Sequence, residues 1–265
     1  RAPAPGEALF VREDGEVLRD QVAEPRFRPC VFEFVYFARP DSTLDGVSVY
    51  RTRERMGQAL AAKIARLGIK ADAVVPVPES SRAAALEIAR ALGWSYREAL
   101  VKNRYVGRTF IMPGDEVRRR SVRNKLNVIG AEVRDRAVLL VDDSIVRGTT
   151  SRQIIEMLRE AGARQVFLAS TAPPLRHPCV YGIDMSTRRE FVARDRTERQ
   201  VAELLGADAV IYQDLADLVQ SVRAEAAEPP DDTCHACFSG IYPTGDIDDA
   251  ALEQVERERL NSSHS

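Results

Sequence analysis

The chain has 265 residues, 45% of them hydrophobic, and a formal net charge of −2. That is enough apolar material for one large domain or two small ones, and the charge argues against general nucleic-acid binding. No apolar run approaches the ~18 residues of a membrane span. The opening Arg1-Ala2-Pro3-Ala4-Pro5-Gly6 has neither Met nor the apolar stretch of a signal peptide, so the chain is expected to be a portion of a longer, cytoplasmic protein.

In chain order, Ala8–Val11 and Glu16–Leu18 read as a hairpin turning at Asp14-Gly15. Phe32–Phe37 is dense in aromatics and reads as a strand. Residues 52–67 fit a helix with Met56, Leu60, Ile64 and Leu67 on one stripe and Gly68 as its stop. Asp72–Pro78 reads as a buried strand, followed by a helix carrying Ala85, Ile88, Ala89 and Leu92 and closed by Gly93. Tyr96–Val101 reads as another strand. Residues 102–127 carry eight Lys/Arg against two Asp/Glu, with Gly107 and Pro113-Gly114 inside. A polar segment of that length in a compact domain reads as a functional lid, with a solvated basic face as the competing reading. Arg136–Val141 is the expected central strand. Thr150–Ala161 follows as a helix, then a strand at Gln165–Thr171, a short strand at Ala207–Tyr212 and a helix at Asp214–Val222. Glu225–Asp232 reads as a linker, and the charged tail as helical near 250–260. Strand–helix alternation predicts an α/β fold, a parallel sheet with helices on both faces, whose ligand binds beyond the carboxyl ends of the strands.

The stretch Val138-Leu139-Leu140-Val141-Asp142-Asp143-Ser144-Ile145-Val146-Arg147-Gly148-Thr149-Thr150-Ser151 concentrates the chemistry. A strand buried on both faces runs into two carboxylates, then into a glycine loop with three hydroxyls at a helix start, where a phosphate is welcome. Carboxylates beside a phosphate cradle fit a ligand that also carries sugar hydroxyls and Mg²⁺, hence a ribose phosphate with a second phosphate group. Capping or solvated aspartates and an ordinary N-capped turn are the plainer readings. No G-x-G-x-x-G or G-x-x-x-x-G-K-[ST] is present.

Cys234-x-x-Cys237 with Cys30 and Cys179 makes four thiolates, enough for a [4Fe–4S] cluster or zinc, and free thiols compete with both. Nothing points to secretion, so a disulfide framework is not expected.

Val138–Ser151 resembles the phosphoribosyl pyrophosphate (PRPP) motif of type I phosphoribosyltransferases. Together with Phe32–Asp41, Lys102–Ile111 and Tyr181–Asp184, it resembles the phosphoribosyltransferase half of the amidophosphoribosyltransferase family across nearly the whole chain. The resemblance implies a type I phosphoribosyltransferase-like sheet with a flexible active-site loop. It implies replacement of the pyrophosphate on ribose C1 by ammonia to give 5-phosphoribosylamine, the first committed step of purine biosynthesis. Residues 1–28 would then be the end of a preceding glutaminase domain that supplies ammonia from glutamine, 29–224 the phosphoribosyltransferase domain, and 225–265 a C-terminal segment.

By the same resemblance, Asp142 and Asp143 hold the ribose hydroxyls and, with Ser80, Mg²⁺; read bottom-up, Ser80 is equally a helix N-cap. Arg147, Gly148, Thr149, Thr150 and Ser151 hold the 5-phosphate. Lys102, Arg104 and Arg108 face the leaving pyrophosphate, on a loop whose Tyr105, Val106, Phe110 and Ile111 bury apolar surface on closing. Cys30, Cys179, Cys234 and Cys237 match the ligands of the branch with a [4Fe–4S] cluster, of structural role. Feedback inhibition by purine nucleotides and a homotetramer are implied as well. The rival readings are an enzyme of this fold acting on a nucleobase, and a PRPP- or nucleotide-sensing module without catalysis.

Overall fold

The computed structural model describes residues 3–103, 125–183, 185, 187–224, 226 and 232–262, with side chains to residue 257. A hairpin of β1 (Glu7–Val11) and β2 (Val17–Gln21) comes first, turning at Asp14-Gly15 as expected. A π-helical turn covers Glu33–Phe37. The ribbon β3 (Thr43–Leu44) and β4 (Val47–Ser48) leads into α1 (Val49–Arg66). Next come β5 (Ala73–Pro76), α2 (Arg82–Leu92), β6 (Ser95–Tyr96), β7 (Leu100–Lys102), β8 (Leu126–Val128), α3 (Gly130–Val133), β9 (Ala137–Asp142), α4 (Thr149–Glu160) and β10 (Gln165–Ser170). The chain continues through a 3₁₀ turn (Arg188–Glu190), α5 (Glu198–Leu205), β11 (Ala209–Tyr212), α6 (Leu215–Arg223), α7 (Ala236–Ser239) and α8 (Asp249–Ser262). Among the described residues, no helix is long and apolar enough to cross a membrane.

Five strands form one sheet in the order β11-β10-β9-β5-β6, every pair parallel, with β9 at the centre. All six residues of β9 are buried, because successive side chains feed opposite cores. Val138 and Leu140 pack with Ile154, Ile155 and Leu158 of α4 and Val201 and Leu205 of α5. Leu139 and Val141 pack with Leu60 and Ile64 of α1 and Ala85 and Ile88 of α2. The expected parallel sheet with helices on both faces is what the chain forms. α1 and α2 approach so closely that a Cβ on Gly57 would lie 2.5 Å from the Ala84 carbonyl oxygen.

Two expected strands are corrected. Phe32–Phe37 is a helical turn: Val31, Phe32, Phe34 and Val35 are buried while Tyr36 and Phe37 are exposed. That pattern is helical, and the aromatic propensity for strands yields to it. Tyr96–Val101 breaks in two. Ser95 and Tyr96 pair with β5 at the sheet edge, whereas β7 pairs antiparallel with β8. One continuous run cannot reveal a change of pairing partner.

The helix α5 was not anticipated. Its signals are local: Thr197 and Gln200 form a capping box, Val201, Ala202 and Leu205 face inward, and Gly206 closes it in the left-handed region.

Candidate active site

β5 leaves the sheet toward β6 on one side and β9 toward β10 on the other, so the loops after them part at the strands' carboxyl ends. The crevice between them holds a cavity of about 750 Å³. Its polar lining includes Ser80 after β5, and Asp142, Asp143 and Arg147 to Ser151 after β9. Its apolar lining includes Phe32, Tyr36 and Phe37 at the π-helical turn, with Ile183 and Met185.

Asp142 and Asp143 are 8% and 7% exposed. Burial pushes the Asp142 carboxyl well above its ordinary range, and the neighbouring Asp143 charge adds to the rise, opposed by the Asp143 N–H that donates to Asp142 Oδ1 at 2.9 Å. Asp143 is also raised by burial, with hydrogen bonds from Ser80 and Ser144 and the charge of Arg53 pulling the other way. Two adjacent desolvated carboxylates resist carrying two charges unless a cation joins them. The donor set of Asp142, Asp143 and the Ser80 hydroxyl therefore fits a hard divalent ion. Ser80 does not cap α2: Ser81 takes the N-cap position, and the Ser80 hydroxyl donates to Asp143 Oδ2.

The loop after the pair turns at Gly148, φ 75°, where a Cβ would come within 2.7 Å of Leu205 Cδ2. Gly148 is the N-cap of α4 and offers no side chain, so the N–H groups of Thr149, Thr150 and Ser151 begin the helix without a side-chain cap. Arg147 lines the crevice, but its Nε pairs with Glu190 Oε1 at 2.8 Å, and Glu190 in turn accepts the Thr187 N–H at 3.0 Å. Glu190 was not singled out in the sequence.

Lys102 ends β7 outside this cavity, with Nζ 3.9 Å from Glu79. Lys125, across the strand pair from it, does line the cavity and was missed; the basic composition of 102–127 was its signal. Arg104, Arg108, Tyr105, Val106, Phe110, Ile111 and Asp184 lie outside the described residues.

The four cysteines lie near one another, and no disulfide joins them. Cys30 and Cys234 form an isolated parallel bridge, with the Val31 N–H donating to the Cys234 carbonyl at 3.0 Å and the Cys234 N–H to the Pro29 carbonyl at 2.9 Å. The Arg176 and His177 N–H groups both donate to the Cys237 carbonyl at 3.1 Å. Cys30, Cys179 and Cys234 line one cavity of about 610 Å³. Hydrogen bonding from Cys30 lowers the Cys234 thiol to about 6, while burial and the nearby Cys234 and Cys179 raise Cys237. Among the described residues, no three His, Cys, Asp or Glu groups already close into a metal cage. The thiols are gathered, and their chemistry suits a soft metal centre.

The phosphoribosyl transferase domain model matches residues 49–180. Over 259 residues the chain is 54% identical to amidophosphoribosyltransferase of Escherichia coli (strain K12), covering 97% of this chain and 51% of that protein. The chain belongs to the amidophosphoribosyltransferase family. The family member of Schizosaccharomyces pombe is 51% identical over 259 residues, covering 91% of this chain and 48% of that one. The solved structure of B. subtilis glutamine PRPP amidotransferase, complexed with ADP and GMP, superposes with a TM-score of 0.76 at 41% identity, covering 90% of this chain and 52% of that one. The chain thus spans about half the length of the curated relatives it matches.

Proposed function

We propose that this chain transfers the phosphoribosyl group of PRPP to ammonia, giving 5-phosphoribosylamine and pyrophosphate, the first committed step of purine biosynthesis. The observation that carries this reading is the buried Asp142–Asp143 pair beside the uncapped start of α4, at the switch point of a parallel sheet. In this reading, Asp142 and Asp143 accept hydrogen bonds from the ribose 2- and 3-hydroxyls. The N–H groups and hydroxyls of Gly148, Thr149, Thr150 and Ser151 hold the 5-phosphate, with Arg147 at its edge, its charge shared with Glu190. Lys102, Arg104 and Arg108 stabilise the departing pyrophosphate. Asp142, Asp143 and Ser80 would hold Mg²⁺, which would supply further positive charge near that leaving group. No covalent nucleophile is needed; placement and electrostatics carry the step. The test is pyrophosphate release from PRPP with ammonia and Mg²⁺. Absence of both turnover and calorimetric PRPP uptake by folded protein would rule the reading out.

The same reading assigns residues 1–28 to the end of a glutaminase domain, 29–224 to the transferase domain and 225–265 to a C-terminal segment. It gives the whole protein as a cytoplasmic homotetramer inhibited by purine nucleotides; a relative solved with ADP and GMP supports the binding of such nucleotides. Cys30, Cys179, Cys234 and Cys237 would hold a [4Fe–4S] cluster. Its contribution is a cross-link between three distant segments, because phosphoribosyl transfer involves no redox change. Protein purified without oxygen should be brown; a colourless sample with stoichiometric zinc would assign the thiols to zinc.

A further inference from the structure

Arg147 stands between two cavities. It lines the crevice, and it also lines a second cavity of about 380 Å³ that shares Gly148 and Thr149 with the first. Glu190 lines the second cavity and not the crevice. Its carboxylate therefore offsets the guanidinium charge without standing in the place of a phosphate. The two oxygens of Glu190 have separate partners. Oε1 lies 2.8 Å from Arg147 Nε, while Oε2 accepts the Thr187 N–H at 3.0 Å and the Thr187 hydroxyl at 3.1 Å. The Val192 N–H donates to the Val146 carbonyl at 2.9 Å and stitches together the two segments that carry the pair. Burial alone would raise the Glu190 carboxyl, but Thr187 and Arg147 outweigh it and hold the group below its ordinary value, so it is ionised at neutral pH. The side chains of Arg147 and Glu190 are 42% and 38% exposed, and ion pairs so exposed add little to stability. A carboxylate beside a phosphate cradle also opposes phosphate binding. Neither stability nor a tight grip explains its presence.

We propose that Glu190 is a specificity-determining counter-ion: by holding a negative charge against Arg147, it weakens the loop's hold on the 5-phosphate. The proposal rests on the phosphoribosyl-transfer reading above. In that reaction the 5-phosphate is a handle, carried unchanged from substrate to product. A contact equally strong in substrate and transition state does not speed the chemistry at C1, and one kept in the product slows its release. Bare phosphate has only the loop to bind and is kept out by the weakened hold. PRPP stays bound, because its ribose hydroxyls and pyrophosphate are gripped elsewhere in the crevice.

The experiment measures, by calorimetry in Mg²⁺, the affinity of wild type, Glu190→Gln and Glu190→Asp for inorganic phosphate, ribose 5-phosphate and PRPP. Ribose 5-phosphate stands for the product, whose phosphate end it shares. Glu190→Gln keeps the size of the side chain and removes its charge. It should bind all three ligands about five- to tenfold more tightly, the range for removing one charge several ångströms from a dianion in a water-exposed setting. The gain should shrink as salt is raised, because the pair is open to solvent. Glu190→Asp keeps the charge and should stay within about twofold of wild type; a role in shape alone would move both variants alike. Unchanged or weaker phosphate affinity in Glu190→Gln overturns the inference, as does equal tightening in Glu190→Asp. Wild type that takes up neither PRPP nor ribose 5-phosphate would overturn the transfer reading and this inference with it. Wild type that binds PRPP beside an unaltered Glu190→Gln would overturn this inference alone.

Discussion

The crevice at the carboxyl ends of the central strands and the cysteine seam are built in opposite ways. Asp142, Asp143 and the α4 start follow one another in sequence, and β9 places them by burying every one of its own residues. The seam joins residues 30, 179, 234 and 237 through a single bridge and a few loop hydrogen bonds. A site carried on a core strand keeps its geometry when one polar group is changed. A seam of loops depends on what cross-links it.

Four perturbations probe the crevice and the chain around it, the first with the largest effect. Asp142→Asn or Asp143→Asn should lower ammonia-dependent turnover about 100- to 1000-fold. Thermal denaturation should show equal or higher stability, because one of two neighbouring buried charges is gone. Leu140→Ala, in the strand beneath the crevice, should cost about 2–5 kcal/mol in urea unfolding. Phe10→Ala in the hairpin, 64% exposed, should stay within about 0.5 kcal/mol. Gly57→Ala forces the α1–α2 contact apart and should cost about 1–3 kcal/mol by the same measurement.

A fifth perturbation tests the seam by pH. Burial, with the charges of Arg176, Arg188 and Arg194, holds the His177 imidazole below 6.5. The unfolded chain then binds the proton first. Stability should therefore be fully present above about pH 6.5 and decline as pH falls through the lower folded value. His177→Gln should flatten that decline in denaturation curves taken between pH 7.5 and 5; an unaltered slope would remove His177 from the account.

The acidic pair and the glycine loop after it were legible because their information is local: a strand, two carboxylates and a glycine turn within 14 consecutive residues. The helices α1, α2 and α4 were legible from apolar spacing and closing glycines. The aromatic turn was misread, because its shape depends on the Arg53 guanidinium taking carbonyls 15 to 19 residues away. The pairing of Arg147 with Glu190 was missed for the same kind of reason, since its partner arrives from the segment after β10.

Sequence alone determined the alternating strands and helices, the acidic pair at a strand end, the glycine loop and the four thiols. Their residue types and spacing carry the chemistry without reference to distant chain. Only the tertiary structure decided which groups come together: Ser80 with Asp143, Lys125 at the crevice, the aromatic turn and the carboxylates around one cavity, and three cysteines around another. Those pairings arise from long-range packing of the sheet's two layers, and the order of residues along a chain does not record which remote segments will share a buried surface.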